Sequence, residues 1–164
     1  MRSRTANWYE TTVRYEKTME DGMQKKISEL YVVDAVSCGD AEKSIASEMS
    51  AYVSGELEIK NINPAAYGEI FFSENGNDDR WYKAKLQFIT LDEKGGKEKR
   101  SNVNYLVQAA NMNGAIKNID TGMGGTMIDY VIANISETRI MDVYEHNAPK
   151  KQERDDKPEY EEEK

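Results

Sequence analysis

The sequence has one histidine, one cysteine and three prolines in 164 residues. It also lacks any apolar run approaching the ~20 residues a membrane-spanning helix needs. Each scarcity excludes something. With Cys38 as the only cysteine, no internal disulfide can form, and a reducing, cytoplasmic setting is expected. One histidine and one cysteine are too few soft ligands for a structural zinc site. Neither G-x-x-x-x-G-K-[ST] nor a G-x-G-x-x-G after a strand-like run occurs. The opening Met1-Arg2-Ser3-Arg4-Thr5 has no apolar stretch, so no secretory signal is expected.

Charge is plentiful but unevenly spread. Lysine and arginine total 22, aspartate and glutamate 30, for a net charge of -8. Positions 145–164 hold 5 basic and 8 acidic residues, which leaves 17 and 22 in the body. A body of that sign does not advertise general affinity for nucleic acid, although a local basic patch is compatible with it. Residues 147–164, with Pro149, Pro158 and no apolar periodicity, are expected to be a disordered charged tail.

What the chain does contain is one pattern written twice. Arg80-Trp81-Tyr82-Lys83-Ala84-Lys85-Leu86-Gln87-Phe88 repeats, 73 positions on, the pattern of Asn7-Trp8-Tyr9-Glu10-Thr11-Thr12-Val13-Arg14-Tyr15. In both stretches apolar or β-branched residues alternate with polar ones, the period of a half-buried strand. Glu20-Asp21-Gly22 is a turn, and a second strand with Ile27, Tyr31, Val33 and Ala35 on one face completes a hairpin. Ser37 with Asp40 three residues on has the spacing of a capping box. Ala41, Ile45, Met49 and Tyr52 then recur at helical intervals. A third strand is expected over Glu56–Ile62, broken by Asn63-Pro64, and the short run Glu69–Phe72 closes the unit.

The second copy follows suit. Tyr105, Val107 and Ala109 match Tyr31, Val33 and Ala35; Ala115, Ile119 and Met123 match Ala41, Ile45 and Met49; Ile132 and Ile135 match Ile59 and Ile62. Gly114, Gly122, Gly124 and Gly125 weaken the second helix, since each interior glycine costs about 1 kcal/mol relative to alanine; its end is expected near Asp120. The expected fold is therefore α+β: two tandem β-β-α-β repeats, 7–72 and 80–144, forming a mostly antiparallel sheet with one helix per repeat and a pseudo-twofold between them.

Few residues carry recognisable chemistry. His146 reads as a solvated side chain at the edge of the tail. Cys38, at a helix start, has no histidine nearby in sequence to activate it, and reads as a small residue in a capping turn. Gly122-Met123-Gly124-Gly125 is a lone glycine cluster that a helix terminus explains as well as a phosphate loop does. No catalytic residue, metal site or cofactor is expected. The tryptophans say more. Strict alternation puts Trp8 and Trp81 on the polar face, Trp8 beside Arg14, and Trp81 beside Arg80, Lys83 and Lys85. One reading has each indole covering a hairpin end or the seam between copies. The other makes them stacking platforms flanked by cations, the arrangement that binds single-stranded DNA or RNA.

The doubled Trp-Tyr hairpin, the Tyr-x-Val-x-Ala strand end and Ile135-Ser-Glu-Thr-Arg-Ile-Met-Asp-Val-Tyr144 together resemble an uncharacterised domain-of-unknown-function family found in gut anaerobes, their mobile elements and their phages. The resemblance spans about residues 7–144, with a glycine-rich departure at 122–125. It implies a small cytoplasmic protein of a mobile-element or phage setting, and no catalytic residues. The expected function is a non-enzymatic binding protein. Its first candidate ligand is single-stranded nucleic acid, held by Trp8, Arg14, Arg80, Trp81, Lys83 and Lys85, provided these cations converge with Lys97, Lys99 and Arg100 on one groove. The alternative is a protein-interaction or self-assembly module working through a sheet edge or the acidic tail. The third is a small-molecule or nucleotide binder between the repeats.

Overall fold

A computed structural model describes residues 7–146; the tail expected over 147–164 lies outside the described residues. The elements run β1 (Trp8–Thr18), β2 (Gln24–Asp34), α1 (Cys38–Met49), β3 (Leu57–Ala65), β4 (Tyr67–Phe71), β5 (Arg80–Leu91), β6 (Glu98–Ala109), α2 (Met112–Gly122), β7 (Asp129–Glu137) and β8 (Ile140–Tyr144). The fold is α+β, and both halves follow the same order. There are two four-stranded sheets rather than one, ordered β3-β1-β2-β8 and β4-β6-β5-β7.

The last strand of each half belongs to the other half's sheet. β4 leaves the first sheet after the single residue Ala66 and pairs parallel with β6. β8 leaves the second sheet after Thr138-Arg139 and pairs parallel with β2. The exchange also explains a difference from the sequence reading, since β3 does not stop at Asn63-Pro64. It continues through Pro64, paired with Tyr9, to Ala65. β3 is an edge strand, where proline's missing N–H need not cost a ladder bond.

Alternation along the strands builds three cores. On one face of the first sheet, Val13, Tyr15, Tyr31, Val33 and Ala35 meet Ala41, Ile45 and Met49 of α1. The second sheet repeats this with Tyr82, Ala84, Leu86, Tyr105 and Val107 against Ala115 and Ile119 of α2. The reverse faces of both sheets meet in a third cluster: Trp8, Val32, Ile140 and Val143 from one, Tyr67, Ile70, Trp81 and Leu106 from the other. A bulge where β3 crosses Thr12/Val13 lets Ile59 and Ile62, three apart, share a face; β7 does the same for Ile132 and Ile135 at Lys85/Leu86.

The helices are capped as their sequences require. Ser37 Oγ accepts from Asp40 N–H at 3.1 Å, and Asp40 Oδ2 accepts from Val36 N–H at 3.0 Å. In α2, Asn111 Oδ1 takes the capping role, accepting from Gly114 N–H at 2.7 Å. α2 also runs two residues past the expected end at Asp120, to Gly122. The glycine is there because Phe71 lies against the helix: a Cβ at 122 would sit 3.0 Å from its ring.

Gly68 is the tightest point of the exchange. A Cβ there would lie 2.4 Å from Val103 Cγ1 and 3.0 Å from Tyr105 Cε1. Valine is stiff about χ1 and cannot swing aside. Gly68→Ala should therefore cost about 1–3 kcal/mol, the usual penalty of overpacking. Urea denaturation checks this; an unchanged midpoint would contradict the packing described.

Candidate functional site

The six residues expected to bind nucleic acid do not form a site. Trp8 and Trp81 are each only 1% exposed. Alternation does place both indoles on the faces away from the helices. Those faces are not solvent at this level of the strands, because the two sheets pack against each other there. Phe72 stands edge-on to Trp81 at 5.6 Å. Neither ring has a free face on which a base could stack, and the stacking platforms are withdrawn.

The cations scatter among acids. Arg80 lies 3.9 Å from Glu137. Lys83 Nζ sits 5.7 Å from the centre of the Tyr67 ring, whose hydroxyl donates to Glu10 Oε2 at 2.5 Å. Lys85 is exposed on β5, while Arg14 lies on β1 in a groove shared with Glu16, Glu56 and Glu58. Arg100 is bound to Glu98 at 2.8 Å, and Lys97 and Lys99 line a shallow cleft with Asp92, Glu93 and Glu98. A phosphate backbone would meet both signs of charge at Arg14, Arg80, Lys97, Lys99 and Arg100.

A different arrangement does converge. The β1–β2 hairpin extends past the end of α1, and β8 lies along its flank. These elements and the segment after α1 line an open cleft of about 610 Å³. Tyr15, Glu29, Tyr31, Tyr52, Asp142 and Tyr144 supply its chemistry, with Lys17 and Met141 among the remaining lining residues. The hydroxyls of Tyr15 and Tyr31 both donate to the same oxygen, Glu29 Oε1, at 2.9 Å each. Tyr144 stacks on Tyr31, ring centres 5.6 Å apart and planes 17° apart.

The electrostatics of the cleft are one-sided. Burial, then the bond to Glu29, pushes the Tyr15 hydroxyl up to about 12. The same causes raise Tyr31. Burial first, then Asp142, Tyr52, Glu48 and Glu29, raises Tyr144. Burial, reinforced by Glu48, raises the Asp142 carboxyl against the opposing bond from Val143 N–H. Tyr15, Tyr31, Tyr144 and Asp142 are thus each biased toward the protonated form, as expected where carboxylates crowd a half-desolvated space.

A family model for a domain of unknown function, DUF4494, matches residues 7–146. The chain belongs to this family. No curated protein and no solved structure matches it.

Within this DUF4494 chain, the second half serves as a control for the first. Strand register makes Val103 the counterpart of Glu29, Tyr105 of Tyr31, Glu69 of Asp142, and Phe71 of Tyr144. Phe88 stands where Tyr15 does, and Gly68 replaces Met141 at the bulge. There the space is filled with hydrocarbon. Phe71 packs edge-on to Tyr105 at 5.4 Å, Phe88 lies at 6.3 Å, and Val103 occupies the room a side chain at Gly68 would need. One scaffold is thus closed in one copy and open and polar in the other. Sequence reasoning missed the cleft because it looked for features the copies share. The signal lay in where they differ: Glu29 against Val103, Tyr15 against Phe88, Tyr144 against Phe71.

His146 lies at the exposed end of the described chain and is anchored there. Its N–H donates to the buried Asp34 Oδ1 at 2.6 Å, and its Nε2 lies 2.5 Å from Glu48 Oε2. It fastens the end of β8 to β2 and α1. Cys38 is exposed on the first turn of α1.

The raised Tyr15 value fixes a pH dependence. The folded value, about 12, lies above the ordinary 10.0, so folding favours the protonated phenol. That contribution is complete below pH 10 and is lost as pH rises through about 12. Tyrosine absorbance during alkaline titration should show Tyr15 ionising late, and Glu29→Gln should bring it part of the way back toward 10.0. Ionisation at the ordinary pH in the folded wild-type protein would contradict the Tyr15–Glu29 bond.

Proposed function

We propose that this protein is a non-enzymatic binding protein of the cytoplasm whose ligand seat is the tyrosine-carboxylate cleft of its first half. The contrast between the halves carries the reading. A second copy of the same framework closes this space with Phe71, Phe88 and Val103, so the fold does not need an opening there. Keeping the Asp142 carboxyl half-desolvated instead costs stability, and such a cost is typical of places retained for binding. The tyrosines are held protonated far above neutral pH, which suits contact surfaces better than proton-transfer groups.

The mobile-element or phage setting remains part of this proposal as context. Single-stranded nucleic acid is the weaker ligand, having lost both stacking rings to the core. Docking through the β3 or β7 edge, two of the four sheet edges, is also less favoured. The outer strand β3 carries Pro64, Glu58 and Lys60, and the outer strand β7 carries Asp129 and Glu137, residues that discourage pairing with another chain.

Asp142→Asn separates a binding role from a structural one. Its carboxyl is raised, so folding favours the protonated form; that stabilising contribution is present at low pH and lost as pH rises through the folded value. At neutral pH the charge opposes folding. Asparagine keeps an oxygen for the 2.8 Å bond from Val143 N–H and removes the charge. The variant should melt higher than wild type at neutral pH. In a thermal-shift panel of nucleotides, amines, amino acids and oligonucleotides, any compound that stabilises wild type should lose its effect in it. A lower melting temperature, or a binder indifferent to Asp142 and Glu29, would contradict the reading.

A further inference from the structure

We infer that the cleft takes an organic cation, an alkylammonium or guanidinium group, seated on the faces of Tyr144 and Tyr52 between the carboxylates of Glu29 and Asp142. The inference rests on the cleft being the binding site and goes on to name the chemistry of what enters it.

Consider what the lining offers. The hydroxyl hydrogens of Tyr15 and Tyr31 are both spent on Glu29 Oε1. Those two phenols, 8% and 7% exposed, therefore have no hydroxyl hydrogen left to offer an incoming group. The carboxylates of Glu16, Glu29 and Asp142 accept only. Glu48 acts electrostatically on both Asp142 and Tyr144 from α1. Among the lining residues the only cation is Lys17, exposed near the open end of the β1–β2 hairpin. A phosphate or carboxylate ligand would enter a field made by like charges. An ammonium group meets the opposite: carboxylates for its N–H bonds and the negative faces of aromatic rings for its alkyl surface.

The geometry suits a slender ligand. Tyr31 and Tyr144 are parallel and stacked, so together they make a wall rather than a closed box. Tyr52, 69% exposed, stands on the segment after α1, and Met141, 50% exposed, adds a soft apolar contact on β8. A charged group on an alkyl chain fits between wall and flank, with the chain leaving through the open end. A free polyamine and a lysine or arginine side chain of a partner protein both present this chemistry. In the second half the same place offers Phe71, Phe88 and Val103 and one remaining carboxylate, Glu69, so the two halves do not share the site.

The test uses the full chain with three probes at low ionic strength: tetramethylammonium, spermidine and a lysine-rich peptide. Proton NMR reads the first, because methyl protons lying over tyrosine rings shift upfield. Calorimetry reads the other two. Binding that weakens about tenfold in Glu29→Gln and again in Asp142→Asn, and weakens with added salt, is the expected result. Spermidine binding points to a free amine; peptide binding without spermidine binding points to a protein side chain. If no cationic probe binds, or if an anionic or neutral compound binds and is lost in Tyr15→Phe and Asp142→Asn, the cation assignment is overturned while the cleft stands. If cations bind equally to wild type and both variants, the cleft itself is overturned as the seat.

Discussion

The parallel pairing of β4 with β6 and of β8 with β2 is the constraint on which the rest of the structure depends. Each sheet is completed by a strand from the other half. The crossing chains bring Tyr67, Ile70, Ile140 and Val143 to the space between the sheets, where they close over Trp8 and Trp81. Half of this chain would be marginal alone, because small units bury a small fraction of their surface. The exchange gives the two halves one interior. It also decides the fate of the tryptophans, which would stand on exposed faces if each half kept its own last strand.

The shared interior is not symmetrical. Glu10 and Lys83 occupy equivalent places 73 positions apart, and both engage Tyr67: the hydroxyl donates to one and the ring faces the other. Tyr67 itself corresponds to Ile140. The same divergence, on the opposite side of the first sheet, separates the open cleft from its filled counterpart. A scaffold held by the exchange can vary outside its central core. At this place one half is mostly packing, and the other has carboxylates and phenols at a surface opening.

Much of the fold could be read from the residues. Period-two alternation marked β1, β2, β5 and β6, the spacing of Ser37 and Asp40 marked the start of α1, and the doubled Trp-Tyr pattern revealed the repeated order. The exchange could not be read, because Glu69–Phe72 looks the same whether it pairs at home or across. The burial of the tryptophans follows from the exchange and was hidden with it. The length of α2 was obscured for another reason. Gly122 signals a helix end by propensity, but here its missing side chain makes room for Phe71, a contact from far along the chain. The cleft was legible only by subtracting one copy from the other, since its residues are ordinary strand tyrosines and acids until their counterparts are set beside them.

Native-state amide hydrogen exchange in rising denaturant tests the interlock most directly. If the halves share one interior through exchanged strands, the amides of β2, β6, β4 and β8 should open together as one unit at the global unfolding free energy. Protection lost in one half at a denaturant concentration where the other half remains intact would contradict the account.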